Sequence, residues 1–154
     1  MRPLPILLAL AATIPMSRAI AQSGDQRAAV LAVVDSALAA VSRADQAAFA
    51  DLMIPEAVVM PTQAGQYFVL TREEIRAQKF PPFIERGFDP VVQMSGPLAS
   101  VWLPYDLYID GKWSHCGVDQ FTLLWTGETW RIAFMSWTIE QPPACRRHPD
   151  GPPN

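Results

Sequence analysis

The chain has 154 residues, half of them apolar, with 12 basic against 15 acidic residues and a formal net charge of −3. An acidic chain of this size is a poor partner for a phosphate backbone or an anionic membrane surface, which argues against nucleic acid as a ligand. The length suits one domain with a real core and is too short for two, and two cysteines are too few for a disulfide-built miniprotein.

Arg2 precedes an apolar stretch from Leu4 to Met16, and Ala19-Ile20-Ala21 then places small residues where a signal peptidase reads them. This pattern predicts a secretory signal peptide over residues 1–21, cut between Ala21 and Gln22. The apolar run is too short, and too interrupted by Pro5 and Pro15, to span a bilayer. Cleavage also removes Arg2 and Arg18, leaving a mature chain of net charge about −5. The expected location is periplasmic or secreted, with no membrane contact in the mature form.

Residues 25–42 read as an amphipathic helix, with Val30, Val33, Val34, Ala37, Leu38 and Val41 at helical spacing. Asp45 reads as the cap of a second helix carrying Phe49, Leu52 and Met53 and stopped by Pro55. Ala57–Met60 is a short strand, and Gln66–Leu70 returns as its partner. Thr71 and Glu74 form a capping box for a helix that continues to about Lys79. Phe83–Asp89 reads as an irregular lid or pocket rim.

Beyond Val91 the chain reads as strand throughout. Val91–Met94 is short, and a long strand runs from about Leu98 to Ile109. Asp110-Gly111 is a strong hairpin signal, leading into Lys112–Trp125. Gly127-Glu128 permits a second turn into Trp130–Glu140, and Pro142-Pro143 ends it. The expected organisation is a folded domain over residues 22–141 and a disordered tail over 142–154. Helices followed by an antiparallel meander point to an α+β fold, a curved antiparallel sheet wrapped around the N-terminal helices.

Two-residue turns at both hairpins would place Asp106 opposite His115, Trp102 opposite Asp119, and Phe121 opposite Phe134. One face then carries Trp102, Asp106, His115, Gly117, Asp119, Phe121, Leu123, Trp125, Ile132 and Phe134, and it is assigned to the core. The other carries Val101, Leu103, Tyr105, Cys116, Val118, Gln120, Thr122, Met135 and Trp137. It is apolar enough to suggest a homodimer through the back of the sheet. A slip of one residue at either turn would exchange the faces.

His115 and Asp119 both point to the concave side on this reading, about 13 Å apart along the strand. They are the candidate acid/base groups, with Asp106 or Glu140 orienting the imidazole. Burial beside Trp102 and Phe121 would raise the Asp119 carboxyl. Gly117 between them leaves room for a ligand or a bulky neighbour. The ligand-binding set is Trp102, Tyr108, His115, Asp119 and Phe121, and the same carboxylate and imidazole could equally be structural. His115 and Cys116 face opposite ways and cannot share one ion, so neither a metal nor another cofactor is expected. Cys116 and Cys145 are expected to form a disulfide in an oxidising compartment, closing a loop of about 29 residues for roughly 3–4 kcal/mol.

The stretch Val101-Trp102-Leu103-Pro104-Tyr105-Asp106-Leu107-Tyr108-Ile109-Asp110-Gly111-Lys112-Trp113-Ser114-His115-Cys116-Gly117-Val118-Asp119-Gln120-Phe121 resembles the lumazine-binding-like branch of the nuclear transport factor 2-like (SnoaL-like, cystatin-like) superfamily. Trp130-Arg131-Ile132 and, more weakly, Asp35 and Phe49–Val59 are similar too, so the resemblance covers about residues 27–141. It implies a cone of curved sheet with a deep pocket, commonly dimeric through the sheet. Members include isomerases, dehydratases, cyclases, hydrolases and non-catalytic binding modules, so the fold does not settle the chemistry. The catalytic carboxylate of the steroid-isomerase type has no matching motif position here. The expected function is an exported domain that binds a small molecule in a half-apolar pocket. The alternative is a cofactor-free acid/base enzyme of isomerase, dehydratase or hydrolase type using His115 and Asp119.

Overall fold

The computed structural model describes residues 16–153, with side chains from Gly24 onward. The signal peptide expected over residues 1–21 lies largely outside the described residues. The first helix, α1 (Met16–Ser42), buries Val30, Val34, Ala37 and Leu38 along one stripe. A short helix, α2 (Gln46–Asp51), begins at the expected cap, where the Asp45 side chain accepts from the Ala48 N–H at 2.9 Å. The third helix, α3 (Arg72–Ala77), carries the expected capping box. Thr71 N–H donates to Glu74 Oε2 at 2.8 Å, and Glu74 N–H donates to Thr71 Oγ1 at 3.2 Å. These bonds hold the Glu74 carboxyl below its ordinary value.

Eight strands form one sheet: β1 (Met53–Gln63), β2 (Gln66–Tyr67), β3 (Leu70–Thr71), β4 (Phe83–Gly87), β5 (Val91–Ser95), β6 (Leu98–Ile109), β7 (Lys112–Trp125) and β8 (Trp130–Thr138). The spatial order is β2-β1-β8-β7-β6-β4, with β3 also on β1 and β5 also on β6. The sheet is mixed rather than wholly antiparallel, because β1 runs parallel to β8. That ladder also explains why β1 is longer than the expected Ala57–Met60. Pro55 falls inside the irregularity between Met53 and Val58, where its missing N–H breaks no regular pairing. Phe83–Gly87, expected to be irregular, is a strand because β6 gives it a partner from Phe83↔Ile109 to Gly87↔Tyr105.

Both hairpins turn where expected, with Ile109 opposite Lys112 and Trp125 opposite Trp130. A β-bulge then alters the register of each. Tyr108 pairs with Trp113 but Leu107 pairs with His115, so Ser114 is an extra residue on β7. Thr122 pairs with Phe134 but Leu123 pairs with Ile132, so Ala133 is extra on β8. Each bulge reverses the parity of everything beyond it. The inward assignment of His115, Gly117, Asp119, Phe121 and Leu123 holds. On β6 the inward residues are instead Val101, Leu103, Tyr105 and Leu107, and on β8 they are Met135 and Trp137 rather than Phe134. The core packs the α1 stripe and Phe49 against Val59, Val101, Leu103, Phe121, Leu123 and Ile132.

The tail expected to be disordered lies against the convex face of the sheet. Cys145 is bonded to Cys116, with a Cα–Cα separation of 5.7 Å. The Arg147 guanidinium sits 4.0 Å from the Trp113 ring centroid, and Arg146 pairs with Asp89 at 2.7 Å. His148 packs edge-on to Phe88 and donates its backbone N–H to Asp106 at 3.1 Å. A covalent tether and these polar contacts offset the entropy of ordering the segment.

Candidate functional site

Between the helices and the concave side of the sheet lies a cavity of about 280 Å³. Ala37, Leu38 and Val41 of α1 and Phe49 of α2 form one wall, with Phe121, Met135 and Trp137 on the sheet side. Its polar lining is Gln46, Glu85, Tyr105 and His115. The exposed Phe80 and Pro81 complete the rim.

Glu85 sits on β4, opposite Leu107, with its backbone N–H held by Ser42 Oγ at 3.2 Å. Its carboxyl lies close enough to that of Asp119 on β7 for the two acids to influence each other's ionisation. Asp119 is completely buried, and neither of its oxygens has a donor among the ordinary N–H and O–H groups around it. Two carboxyls brought together out of water favour the neutral form. Burial raises both acids above the ordinary range, and for Asp119 the neighbouring Glu85 raises it further.

Tyr105 faces Gly117 across the β6–β7 ladder and donates its hydroxyl to Thr138 O at 2.7 Å. Burial pushes its phenol far above the ordinary value, and the nearby Asp119, Glu85 and Glu140 add to the shift. A Cβ at Gly117 would overlap the Thr138 carbonyl and the Tyr105 ring, so the room beside this glycine is filled by the tyrosine rather than a ligand. His115 packs edge-on to Tyr105, with centroids 5.8 Å apart, and its Nδ1 bonds Ser114 Oγ at 3.0 Å. Burial lowers its pKa, so the imidazole is neutral at pH 7.

Of the residues expected at the site, His115 and Phe121 line the cavity, while Asp119 is buried on the same face of β7 but is not part of the lining. Trp102, Asp106 and Tyr108 do not, because the Ser114 bulge sends them to the convex face. Trp102 is 53% exposed there. Asp106 cannot orient His115: it is opposite Cys116 and fully buried in a two-pronged pair with Arg86, at 3.0 and 2.7 Å. Tyr108 lies under the same guanidinium, 5.3 Å from its ring centroid. Glu140, the other orienting candidate, is also opposite Cys116 rather than His115. Glu85, Tyr105 and Gln46 were not expected at the site. The inward alternation of Phe83, Glu85 and Gly87 was the available signal for Glu85. Among the described residues, no group of three or more His, Cys, Asp or Glu side chains is placed to hold a metal ion.

No protein-family model and no curated protein matches the sequence. Solved structures do match the fold. An NTF2-like protein with a cystatin-like fold from Novosphingobium aromaticivorans superposes with a TM-score of 0.69 at 12% identity, covering 83% of this chain and 90% of that one. A protein of unknown function from Mycobacterium tuberculosis gives 0.64 at 13%, covering 81% and 78%. A candidate ketosteroid isomerase from Parabacteroides distasonis gives 0.59 at 18%, covering 73% and 86%. The chain therefore has the NTF2-like, cystatin-like fold. At these identities the neighbours establish the fold, and the lumazine-binding-like branch rests on the sequence resemblance.

Proposed function

We propose that this protein binds a small, mostly apolar organic molecule in the cavity beneath α1. The observation that carries this reading is an apolar chamber lined by one buried polar side chain, Gln46, that has no protein partner, with the unpaired Asp119 carboxyl buried on the same face of β7 as Phe121. Gln46 is buried with both amide atoms unpaired, and neither oxygen of the buried Asp119 carboxyl has a donor. Buried polar atoms in native proteins are nearly always satisfied, so a ligand is the natural source of the missing partners. Native mass spectrometry of the purified chain tests it: a bound small molecule is expected, and Val41→Phe, which fills the cavity edge, should reduce its occupancy. Equal occupancy in that variant would sink the assignment to this cavity.

A second reading, acid/base catalysis, is favoured by the two raised carboxyls of Glu85 and Asp119 beside the cavity. The working groups would then be this pair rather than His115 with an orienting acid. Proton transfer predicts deuterium uptake at carbon in the bound molecule in D2O, lost in Asp119→Asn.

Export is supported by the leader pattern and is compatible with the disulfide. An N-terminus at Gln22 on the protein recovered from outside the cytoplasm is the expected result. Self-association through the convex face is supported by the exposed Val91, Leu98 and Trp102 on β5 and β6. Sedimentation is expected to give a dimer.

A further inference from the structure

Glu85 and Asp119 form an acid pair beside an apolar cavity, and no basic side chain answers them. The ion pairs among the described residues engage Asp51, Glu73, Asp89, Asp106 and Asp150, and none reaches this pair. Arg86, next in sequence, lies on the opposite face of β4 and is taken by Asp106. Lys or Arg is also absent from the lining of the cavity. A buried acid usually sits with a countercharge, because an isolated charge in an apolar interior is costly.

We infer that the ligand is a lipophilic amine, held as its ammonium ion with an N–H donated to the Glu85 carboxylate. This rests on the small-molecule reading above and narrows it to a chemical class. An anionic ligand would add a like charge to the acid pair in a low-dielectric chamber. A neutral alcohol or carbonyl would exchange one hydrogen bond and leave the carboxylate charge uncompensated. An ammonium supplies both the donors and the missing positive charge. Phe49, Phe83, Phe121 and Trp137 line the same chamber, and aromatic walls suit an organic cation with an apolar body. The unpaired Gln46 amide offers its NH2 as donor and its carbonyl oxygen as acceptor to a further polar group on the same molecule.

The test uses three probes with one ring system: 1-naphthylmethylamine, 1-naphthalenemethanol and 1-naphthoate. Each is titrated calorimetrically at pH 7 into the oxidised full chain and into Glu85→Gln/Asp119→Asn. The amine is expected to bind the native chain at least about tenfold more tightly than the alcohol, with naphthoate weakest. In the double variant the amine and alcohol affinities should fall within about twofold of each other. If that variant does not show a cooperative melt, Glu85→Gln alone serves, with the same expectation. An alcohol that binds as tightly as the amine overturns the amine assignment and leaves the binding cavity standing. So does an amine preference that survives in the variant. If none of the probes binds or shifts the melting point, both readings fall.

Discussion

Replacing Asp119 with Asn removes one of two carboxyls that meet in the interior without a basic partner. In the unfolded chain both acids ionise near pH 4. In the folded chain both are raised, by burial first and, for Asp119, then by the neighbouring acid. As pH rises above about 4 the unfolded chain releases these protons before the folded pair does. The folded state then binds more protons, so stability falls as pH rises through this window. The slope is about 1.4 kcal/mol per pH unit for each proton held. An Asn at 119 cannot ionise, and its amide can donate to Glu85. The variant's profile should therefore be shallower above about pH 4, by up to about 1.4 kcal/mol per pH unit, and the variant should be the more stable protein at pH 7. His115 acts in the opposite sense. Its lowered pKa makes the unfolded chain take up the proton first as pH falls below about 6.5, and acid removes stability. Both proteins carry His115, so its contribution cancels in the difference. Urea unfolding at several pH values, followed by tryptophan fluorescence, measures the two profiles. Parallel profiles would refute the raised carboxyl at Asp119.

Gly117→Ala drives a methyl group into the Thr138 backbone carbonyl and the Tyr105 ring, and should cost about 3 kcal/mol in urea melts. A loss below about 1 kcal/mol would mean the two strands separate easily there. Replacing Cys116 and Cys145 with Ala and Ser opens a loop of 29 residues and should cost about 3–4 kcal/mol, with proteolysis now cutting within residues 142–153. Arg86→Ala strands the buried Asp106 carboxylate with only the His148 N–H in reach, and should cost about 3–5 kcal/mol by thermal or urea unfolding. Trp102→Lys should abolish sedimentation as a dimer while leaving binding in the cavity unchanged, because the indole lies on the other side of the sheet. Weakened binding in that variant would contradict the placement of the cavity.

Much of the fold could be read locally. Asp45 and the Thr71/Glu74 box cap helices because their side chains bond backbone N–H groups three residues away. Asp110 and Gly111 both adopt positive φ, the geometry that a tight hairpin demands of its central residues. The alternation from His115 to Leu123 correctly marks the concave side of β7. Glu85 was less legible, since a glutamate followed by arginine reads like a solvent-facing pair. Only the pairing of β4 with β6 turns it inward.

The local signals of this chain determined its helices, its turns and the alternation within each strand, because those depend on neighbours a few residues away. Which strand faces met was decided by the assembled sheet. One extra residue at Ser114 and one at Ala133 reverse the parity of everything beyond them. Trp102, Asp106 and Tyr108 therefore left the chamber, while Tyr105, Met135 and Trp137 entered it. A strand's side chains repeat every two residues, so a single unpaired residue suffices to exchange inside for outside. Whether the ladder accommodates that residue depends on packing and pairing across the whole sheet.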